Sequence, residues 1–574
     1  MDPTHPLIEG TIRTIGTPEA NDPRLAQRAM RIARAVEVVI LLVAAVFFAL
    51  HFVHLKADFP NHSLWADWSK YTDEGWYGDA AIRETQVRHW DLPGDFNPAA
   101  ALPVWPALET VVFRFTGVSL VAARALTVSV FGLILVCCYC LVQRWSGAGG
   151  ESPGRSLAPS VAVLLLAVSP FCYAFSRLAI LEPMLILLTL AALLAASSVG
   201  AEAAEGRRLN LRFVALAVAL GVLSALMVLT KTTGVFLFPA IFWMLWAASD
   251  YRVRPFLRSA IVAGGVGAAV WGGYYLFLVR PHYLADYRYL FDANGYTAIT
   301  QDTFWSVLQG GVLDLQWIGE SLFVLALVAA AGSLVRIAVR RSRGNPLTET
   351  LLVWIFGYAA FLAYHANLSP RYYVALVVPL TMLVAMFFEP LVAGALGARS
   401  GGQSGAPAVA RVDDLLFRLP ALAGGAVLIW AVFSGAGQTI YFVRHPEYTY
   451  VSAAEQIRQA VAREQAVDPS HSALVLSISG AQLSLTTGLE SICDDFGTMD
   501  LPQRVATYKP GWYAAWNYVE DDKMDALAPM YRLVRVGAFP ALDDPERNLL
   551  ILYRLDPEPQ RLQAKAGEQA SPVP

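Results

Sequence analysis

A succession of apolar runs, each about 20 residues long and so able to cross a bilayer, constrains this 574-residue chain more than any other feature. The runs fall near 35–55, 120–142, 158–175, 178–200, 211–230, 234–249, 257–279, 317–338, 348–366, 371–394 and 419–442, about eleven in all. Backbone in hydrocarbon has to satisfy its own hydrogen bonds, so runs of this length read as helices. Composition agrees: 56% hydrophobic residues, only 16% charged residues and a mean hydropathy of +0.46 lie outside the range of a soluble domain. The expected fold class is an all-α polytopic membrane domain, with its spans between residues 33 and 442, followed by a small soluble α/β domain over 443–557.

The net charge of −3 gives no reason to expect a nucleic-acid partner, so the placement of charges carries the information. Residues 1–32 are polar and hold Arg13, Arg24, Arg28 and Arg31; they read as a cytoplasmic leader that needs no cleavable signal. Alternation from that start places Arg144 and Arg155, Arg207 and Arg208, Arg252, Arg254 and Arg258, Arg340, Arg341 and Arg343, and Arg399, Arg411 and Arg418 all in cytoplasmic loops. That is the distribution the positive-inside rule demands. The last of these loops contains the flexible linker 400–407, and residues 558–574 form a polar tail expected to be disordered.

Two long segments then belong to the outer face, 56–117, read as amphipathic interfacial helices, and 280–316, read as a loop. The first contains Tyr71-Thr-Asp73-Glu74-Gly-Trp-Tyr77. Alone, this stretch is an ordinary helix start, with Thr72 as N-cap and two acids in the first turn. Three short outer loops each carry one basic residue against the topological bias: Arg177 within Ser176–Pro183, Lys231 within Thr230–Gly234, and Arg371 within Ser369–Tyr373. Any one of them could be a snorkelling anchor. Three at one face, beside hydroxyls and tyrosines and opposite an acid pair, read as an anion site at the membrane surface.

A phosphate held by cations at the lipid boundary, with a carboxylate nearby, suits transfer of a group from a lipid phosphate to an acceptor. In such a scheme Asp73 is the general base and Lys231, Arg177 and Arg371 stabilise the departing phosphate. Glu182 has two readings, substrate contact or a helix-start acid ahead of Pro183, and an Arg177–Glu182 ion pair is equally admissible.

These residues resemble the membrane-embedded type-C (GT-C) glycosyltransferases that use polyprenyl-phosphate-linked sugars. The likeness is to the branch of protein O-mannosyltransferases, lipid A aminoarabinose transferases and core galacturonosyltransferases. It spans about residues 33–395 and rests on Asp73–Tyr77, Gly117–Arg124, Arg177–Pro183, Lys231–Gly234 and Arg371–Tyr373 followed by Pro379. It implies that Asp73 is the catalytic aspartate and Glu74 its companion, orienting acceptor or metal. It also implies that Lys231, Arg371 and Tyr372 stand near the lipid phosphate, with Arg177 and Glu182 in a segment close by. The implied setting is a bacterial inner membrane, with the site and the C-terminal domain facing the periplasm. Expected partners are a polyprenyl-phosphate sugar, an acceptor that is lipid, glycan or protein, and membrane lipids; a divalent metal is compatible but not demanded.

Tyr77, Tyr373, His282 and Asp286 complete the substrate-binding candidates, the last two from an aromatic-rich segment that also reads as an interfacial belt. His51 and His54, and His365 ahead of Arg371, match no metal spacing, and the five cysteines imply neither a disulfide framework nor a zinc knuckle. In the C-terminal region Ala454–Ala466 has helical spacing, and Ala473–Ser479, Trp512–Tyr518, Tyr531–Val536 and Leu549–Leu555 read as strands. Its Gly480, Gly488 and Asp494-Asp495 match no phosphate loop. Two rival classes remain: a transporter would carry charges near the midplane and show related halves, and a non-catalytic lipid-binding protein would use the anion site without Asp73. A ligase transferring a whole lipid-linked glycan is the nearest enzymatic rival.

Overall fold

The computed structural model describes residues 23–65, 67–92, 95–146, 156–205, 210–293, 300–340, 344–365, 368–397, 408–494, 499–542 and 548–557. The Arg13, Arg155, Arg207, Arg208, Arg341, Arg343, Arg399, Asp495, linker and tail readings fall outside them. Among the described residues, nine helices are long and apolar enough to cross a membrane, with two shorter apolar helices, Ala158–Val168 and Thr232–Ala248. The expected runs correspond to these eleven in order.

The first described helix is α1 (Pro23–Leu50), and the segment that follows holds α2 (Asp73–Val87) and α3 (Val104–Thr116). The bundle continues through α4 (Leu120–Ser146), α5 (Ala158–Val168), α6 (Pro170–Phe175), α7 (Leu181–Ala204), α8 (Leu211–Thr230), α9 (Phe238–Ala248) and α10 (Val253–Tyr274). After α11 (Leu284–Ala293) and α12 (Gln301–Asp314) come α13 (Glu320–Arg340), α14 (Pro346–His365), α15 (Val374–Gly397) and α16 (Ala408–Arg444).

The two short crossings have local causes. Ser169 is extended and its hydroxyl accepts from the Cys172 N–H at 3.2 Å, so Pro170 starts a new helix inside the expected 158–175 run. Lys231 is likewise extended, and the chain re-enters through a 3-10 turn, Thr232–Leu237, before α9. The expected 280–316 loop is largely helical instead. There α10 passes through a π-helical stretch, Tyr275–Tyr283, containing Pro281, which has no N–H to give to a regular ladder.

Helices α7 and α15 are central: most of their apolar side chains are buried, including Leu185, Leu190, Leu193, Val377, Leu383 and Val384. By contrast α1 and α16 expose apolar residues such as Leu42 and Phe433, as lipid-facing helices do. The two ends of the bundle differ chemically. At one, Arg144 donates to Ser198 Oγ (3.0 Å) and the Ser197 carbonyl (3.2 Å), Asn345 to the Trp145 carbonyl (2.8 Å), and Arg252 to the Ala204 carbonyl (3.3 Å). At the other end lie Asp73, Arg177, Lys231 and Arg371.

Beyond α16, α17 (Thr449–Val467) leads into a five-stranded sheet of order β2-β1-β3-β5-β4, with β1 (Val475–Ser477), β2 (Ser491–Cys493), β3 (Trp512–Trp516), β4 (Tyr531–Pro540) and β5 (Leu549–Pro557). The pairs β1–β2 and β1–β3 are parallel, β3–β5 and β4–β5 antiparallel. Helices α18 (Gly480–Thr487), α19 (Leu501–Tyr508) and α20 (Glu520–Leu527) cover it. Three-residue β2 has no pattern from which to read a strand; it forms because β1 offers it a parallel edge.

This domain grips the segment between α1 and α4 at several points. Tyr71 packs edge-on against Trp516, ring centroids 5.4 Å apart, and its hydroxyl donates to Asn548 Oδ1 at 3.2 Å. Asp58 accepts from the Thr449 backbone and hydroxyl, both at 2.6 Å. Deepest is a four-charge network: Arg83 pairs with Asp79 (2.7 Å) and Asp95, and Arg504 reaches the same Asp95 at 2.9 Å. Two acids and two guanidinium groups balance, which makes their burial tolerable; removing one leaves an uncompensated charge. Arg504→Ala is therefore expected to destabilise the protein by about 3–5 kcal/mol, read as a drop in the unfolding midpoint of the purified protein, whereas exposed Arg463→Ala leaves the midpoint in place.

Candidate functional site

Three chain breaks between helices bring the charges together. Lys231 ends α8 in an extended conformation, its N–H on the Met227 carbonyl at 3.0 Å, and its ammonium pairs with Glu182 in the first turn of α7. Arg371 lies in the 3-10 turn Pro370–Tyr373 that opens α15, behind an extended Ser369, the conformation that a following proline favours. Asp73 is the first residue of α2 and pairs with Arg371. Asp67 completes the set: it accepts the Arg371 backbone N–H at 2.9 Å, stands 3.4 Å from the Arg371 guanidinium and holds its own Asx turn through the Ser69 N–H at 2.8 Å.

The Tyr372 ring joins the cations. Lys231 Nζ lies 4.6 Å and the Arg371 guanidinium carbon 5.2 Å from its centroid, within cation–π range. One turn along α2 from Asp73, Tyr77 is buried among the same charges. Burial raises the Asp73 carboxyl above its ordinary range; the Arg371 charge opposes this most, Asp67 and Glu182 add to it, and Lys231 opposes it. Burial pushes the Tyr77 hydroxyl well up too, with the Asp73 charge adding, so Tyr77 stays a neutral donor and acceptor.

Several polar atoms of this cluster are buried without a hydrogen-bond partner: Arg371 Nε, Glu182 Oε2, Thr233 Oγ1 and the Tyr358 hydroxyl. Tyr358 is wholly buried on α14, in the neighbourhood of Thr233. Each such atom costs about 1–3 kcal/mol unless something answers it. The cluster thus offers donors and acceptors suited to a polar, anionic ligand.

The other expected site residues lie elsewhere. Glu74 turns from the Asp73 partners to the Arg124 guanidinium, which it accepts bidentately at 2.7 and 2.6 Å, and to the Ala179 N–H at 2.9 Å. Arg177 donates to the Tyr173 hydroxyl and to the Val53 (2.9 Å) and His54 carbonyls just beyond α1, and forms no ion pair with Glu182, which is taken by Lys231. A cation beside the carbonyls that follow a helix end finds its acceptors there. Tyr373 donates to the Gly311 carbonyl at 3.2 Å and packs on Trp317. His282 is exposed, and Asp286 accepts from the Asn97 N–H beside Asp91, Asp95 and Arg83. Thr72 occupies the N-cap position of α2 but makes no cap bond.

Asp67, Thr233 and Tyr358 escape a reading of sequence because a lone acid in a loop, a threonine and a tyrosine in a span carry no distinguishing pattern. The nearest signal for Asp67 is its place six residues before Asp73. Among the described residues, no three His, Cys, Asp or Glu side chains converge as a metal-ligand set. Gly480 opens α18, left-handed Gly488 (φ 76°) closes it, and Asp494 is held by the Tyr513 hydroxyl and Lys523.

No family model and no curated protein matches the chain. Two crystal structures of ArnT from Cupriavidus metallidurans are similar in fold. The one bound to undecaprenyl phosphate superposes with a TM-score of 0.56 at 16% identity, covering 90% of this chain and 97% of that one. The apo state gives 0.51 at 14%, covering 90% and 98%. The chain is a multi-pass membrane protein with the fold of the type-C membrane glycosyltransferases, the class that its motifs resemble.

Proposed function

We propose that the protein is an integral membrane glycosyltransferase that moves a sugar from a polyprenyl-phosphate donor to a lipid, glycan or protein acceptor. The observation that carries this reading is the convergence of Lys231 and Arg371 on Tyr372, directly beside the raised carboxyl of Asp73. The fold shared with ArnT supports it, since one of the matching structures has undecaprenyl phosphate bound. The arginines collected at the opposite end of the bundle favour an orientation with the site on the periplasmic side of a bacterial inner membrane.

In this reading the donor phosphate takes Arg371, whose Nε–H has no acceptor of its own, together with Lys231. The acceptor oxygen attacks the anomeric carbon, the bond from that carbon to the phosphate oxygen breaks, and the electron pair leaves with polyprenyl phosphate. Asp73 takes the acceptor proton, and the two cations stabilise the charge that grows on the leaving phosphate. Exchanging the Asp73 carboxylate for phosphate on Arg371 frees the base only when donor is present. Glu182 Oε2, Thr233 Oγ1 and the Tyr358 hydroxyl supply the polar lining for the sugar, with Tyr77 on the acceptor side. Glu74 and Arg177 act in the framework.

Single-turnover release of polyprenyl phosphate from a panel of radiolabelled polyprenyl-phosphate sugars, with membrane extract as the source of acceptor, tests the reading. One donor is expected to turn over, and Asp73→Asn to slow it by about 10²–10⁴-fold while binding of undecaprenyl phosphate persists. Protein that binds no polyprenyl phosphate, or an Asp73→Asn variant of unchanged rate, would sink the proposal.

The pH dependence has a definite sign. The base works deprotonated, so the rate climbs with pH through the Asp73 ionisation, which burial lifts above the usual carboxylate range. Asp67 contributes to that lift, so in Asp67→Asn the acid limb moves to lower pH; a limb that stays put assigns it to another group. Tyr358→Phe is expected to lower affinity for the sugar-linked donor about 10-fold, the worth of one buried hydrogen bond, with undecaprenyl phosphate affinity within about twofold of wild type. Parallel binding titrations of the two lipids read the difference.

A further inference from the structure

The helix that carries Asp73 does not cap itself. Its first N–H groups have no partner within the helix, and Thr72, at the N-cap position, leaves them unanswered; its hydroxyl lies 3.3 Å from Asp73 Oδ1 instead. The Gly75 N–H is accepted at 2.7 Å by Oε1 of Gln482, which belongs to α18 of the C-terminal domain and is 2% exposed. The other end of the same amide reaches Glu74 Oε2 at 3.4 Å. An amide in only this orientation can satisfy both an N–H and a carboxylate. Backbone contact leaves no choice of side chain opposite: a Cβ on Gly75 would overlap the Ala481–Gln482 peptide.

We infer that Gln482 is a positioning residue for Asp73, the N-cap of the catalytic helix being supplied by the C-terminal domain. The inference rests on the assignment of Asp73 as base. Glu74 is fixed from the opposite direction by Arg124 and the Ala179 N–H, so the residues following Asp73 are held by groups that touch neither donor phosphate ligand. Lys231 and Arg371 sit on other elements, α8 and the turn before α15, and do not depend on Gln482 for their place. Losing the cap therefore loosens the base while leaving the phosphate site intact.

The test compares Gln482→Met with Gln86→Ala in the full-length protein. Methionine keeps the volume and removes both hydrogen bonds. Gln86 bonds the same domain from the other end of α2, donating at 3.3 Å to the Gly488 and Leu489 carbonyls, and so controls for general loosening of the contact. With a cap worth about 1 kcal/mol, Gln482→Met is expected to speed amide exchange of the peptide 73–78 about fivefold. It should also lower single-turnover kcat about five- to tenfold, with the Kd for undecaprenyl phosphate within about twofold of wild type; Gln86→Ala leaves kcat unchanged. Wild-type exchange and kcat in Gln482→Met overturn the inference. So does an equal loss of kcat in both variants, or a loss of kcat matched by a loss of lipid affinity, since either marks a structural contact only. If wild-type protein turns over no donor, the glycosyltransferase reading fails, and unchanged exchange at 73–78 is then what overturns the cap itself.

Discussion

Arg371 and Asp73 neutralise each other where a membrane bundle meets the folded C-terminal domain, and the arrangement around them follows from the cost of burying charge. A lone guanidinium there would pay heavily for lost hydration, and so would a lone carboxylate. Each is therefore held by further partners of its own: Asp67 below the arginine, Lys231 paired with Glu182 across Tyr372, and Tyr77 one turn along the helix. The acids outnumber the cations at this spot, three carboxylates to two positive groups, counting Asp67, Asp73 and Glu182 against Lys231 and Arg371. That excess is one reason the Asp73 carboxyl ionises late.

A second group of buried charges joins separate elements of the fold. Arg124 with Glu74, and Arg83 and Arg504 with Asp79 and Asp95, tie α2 to α4 and to the C-terminal domain. Burial lifts the Asp79 carboxyl to about 7, so this tie contains an acid that ionises near neutrality even with a guanidinium alongside. Next to it, burial holds Glu109, whose carboxyl packs 2.6 Å from where a Cβ on Gly78 would stand, well above the carboxylate range. The helix bearing Asp73 is thus fixed from two sides, by Arg124 of α4 and by Arg504 of the C-terminal domain.

Much of this was legible in the sequence. The spans were readable because hydrocarbon demands length and apolarity, and the C-terminal strands because β1, β3, β4 and β5 carry apolar runs of adequate length. Asp73, Lys231, Arg371 and Tyr372 stood out because charge and aromatic hydroxyls at the outer ends of apolar runs are costly unless used. What sequence could not resolve was the choice of partner. Arg177 reads like Lys231 and Arg371 until the carbonyls beyond α1 are seen to occupy it, and Glu74 reads like Asp73 until Arg124 arrives from α4. Asp67, Thr233 and Tyr358 have no local pattern, since only the folded chain brings them to the same place. The 280–316 segment reads as a loop because its polar aromatics hide a helical stretch irregular at Pro281.

The contact between Gly75 and Gln482 joins points 407 residues apart in the chain. On a ribosome the aspartate emerges early, but the amide that caps its helix comes after every membrane span has been made. Nascent chains stopped between Arg371 and Gln482 would carry Lys231 and Arg371 with the Asp73 helix still uncapped, so the two halves of the cluster are completed at different times.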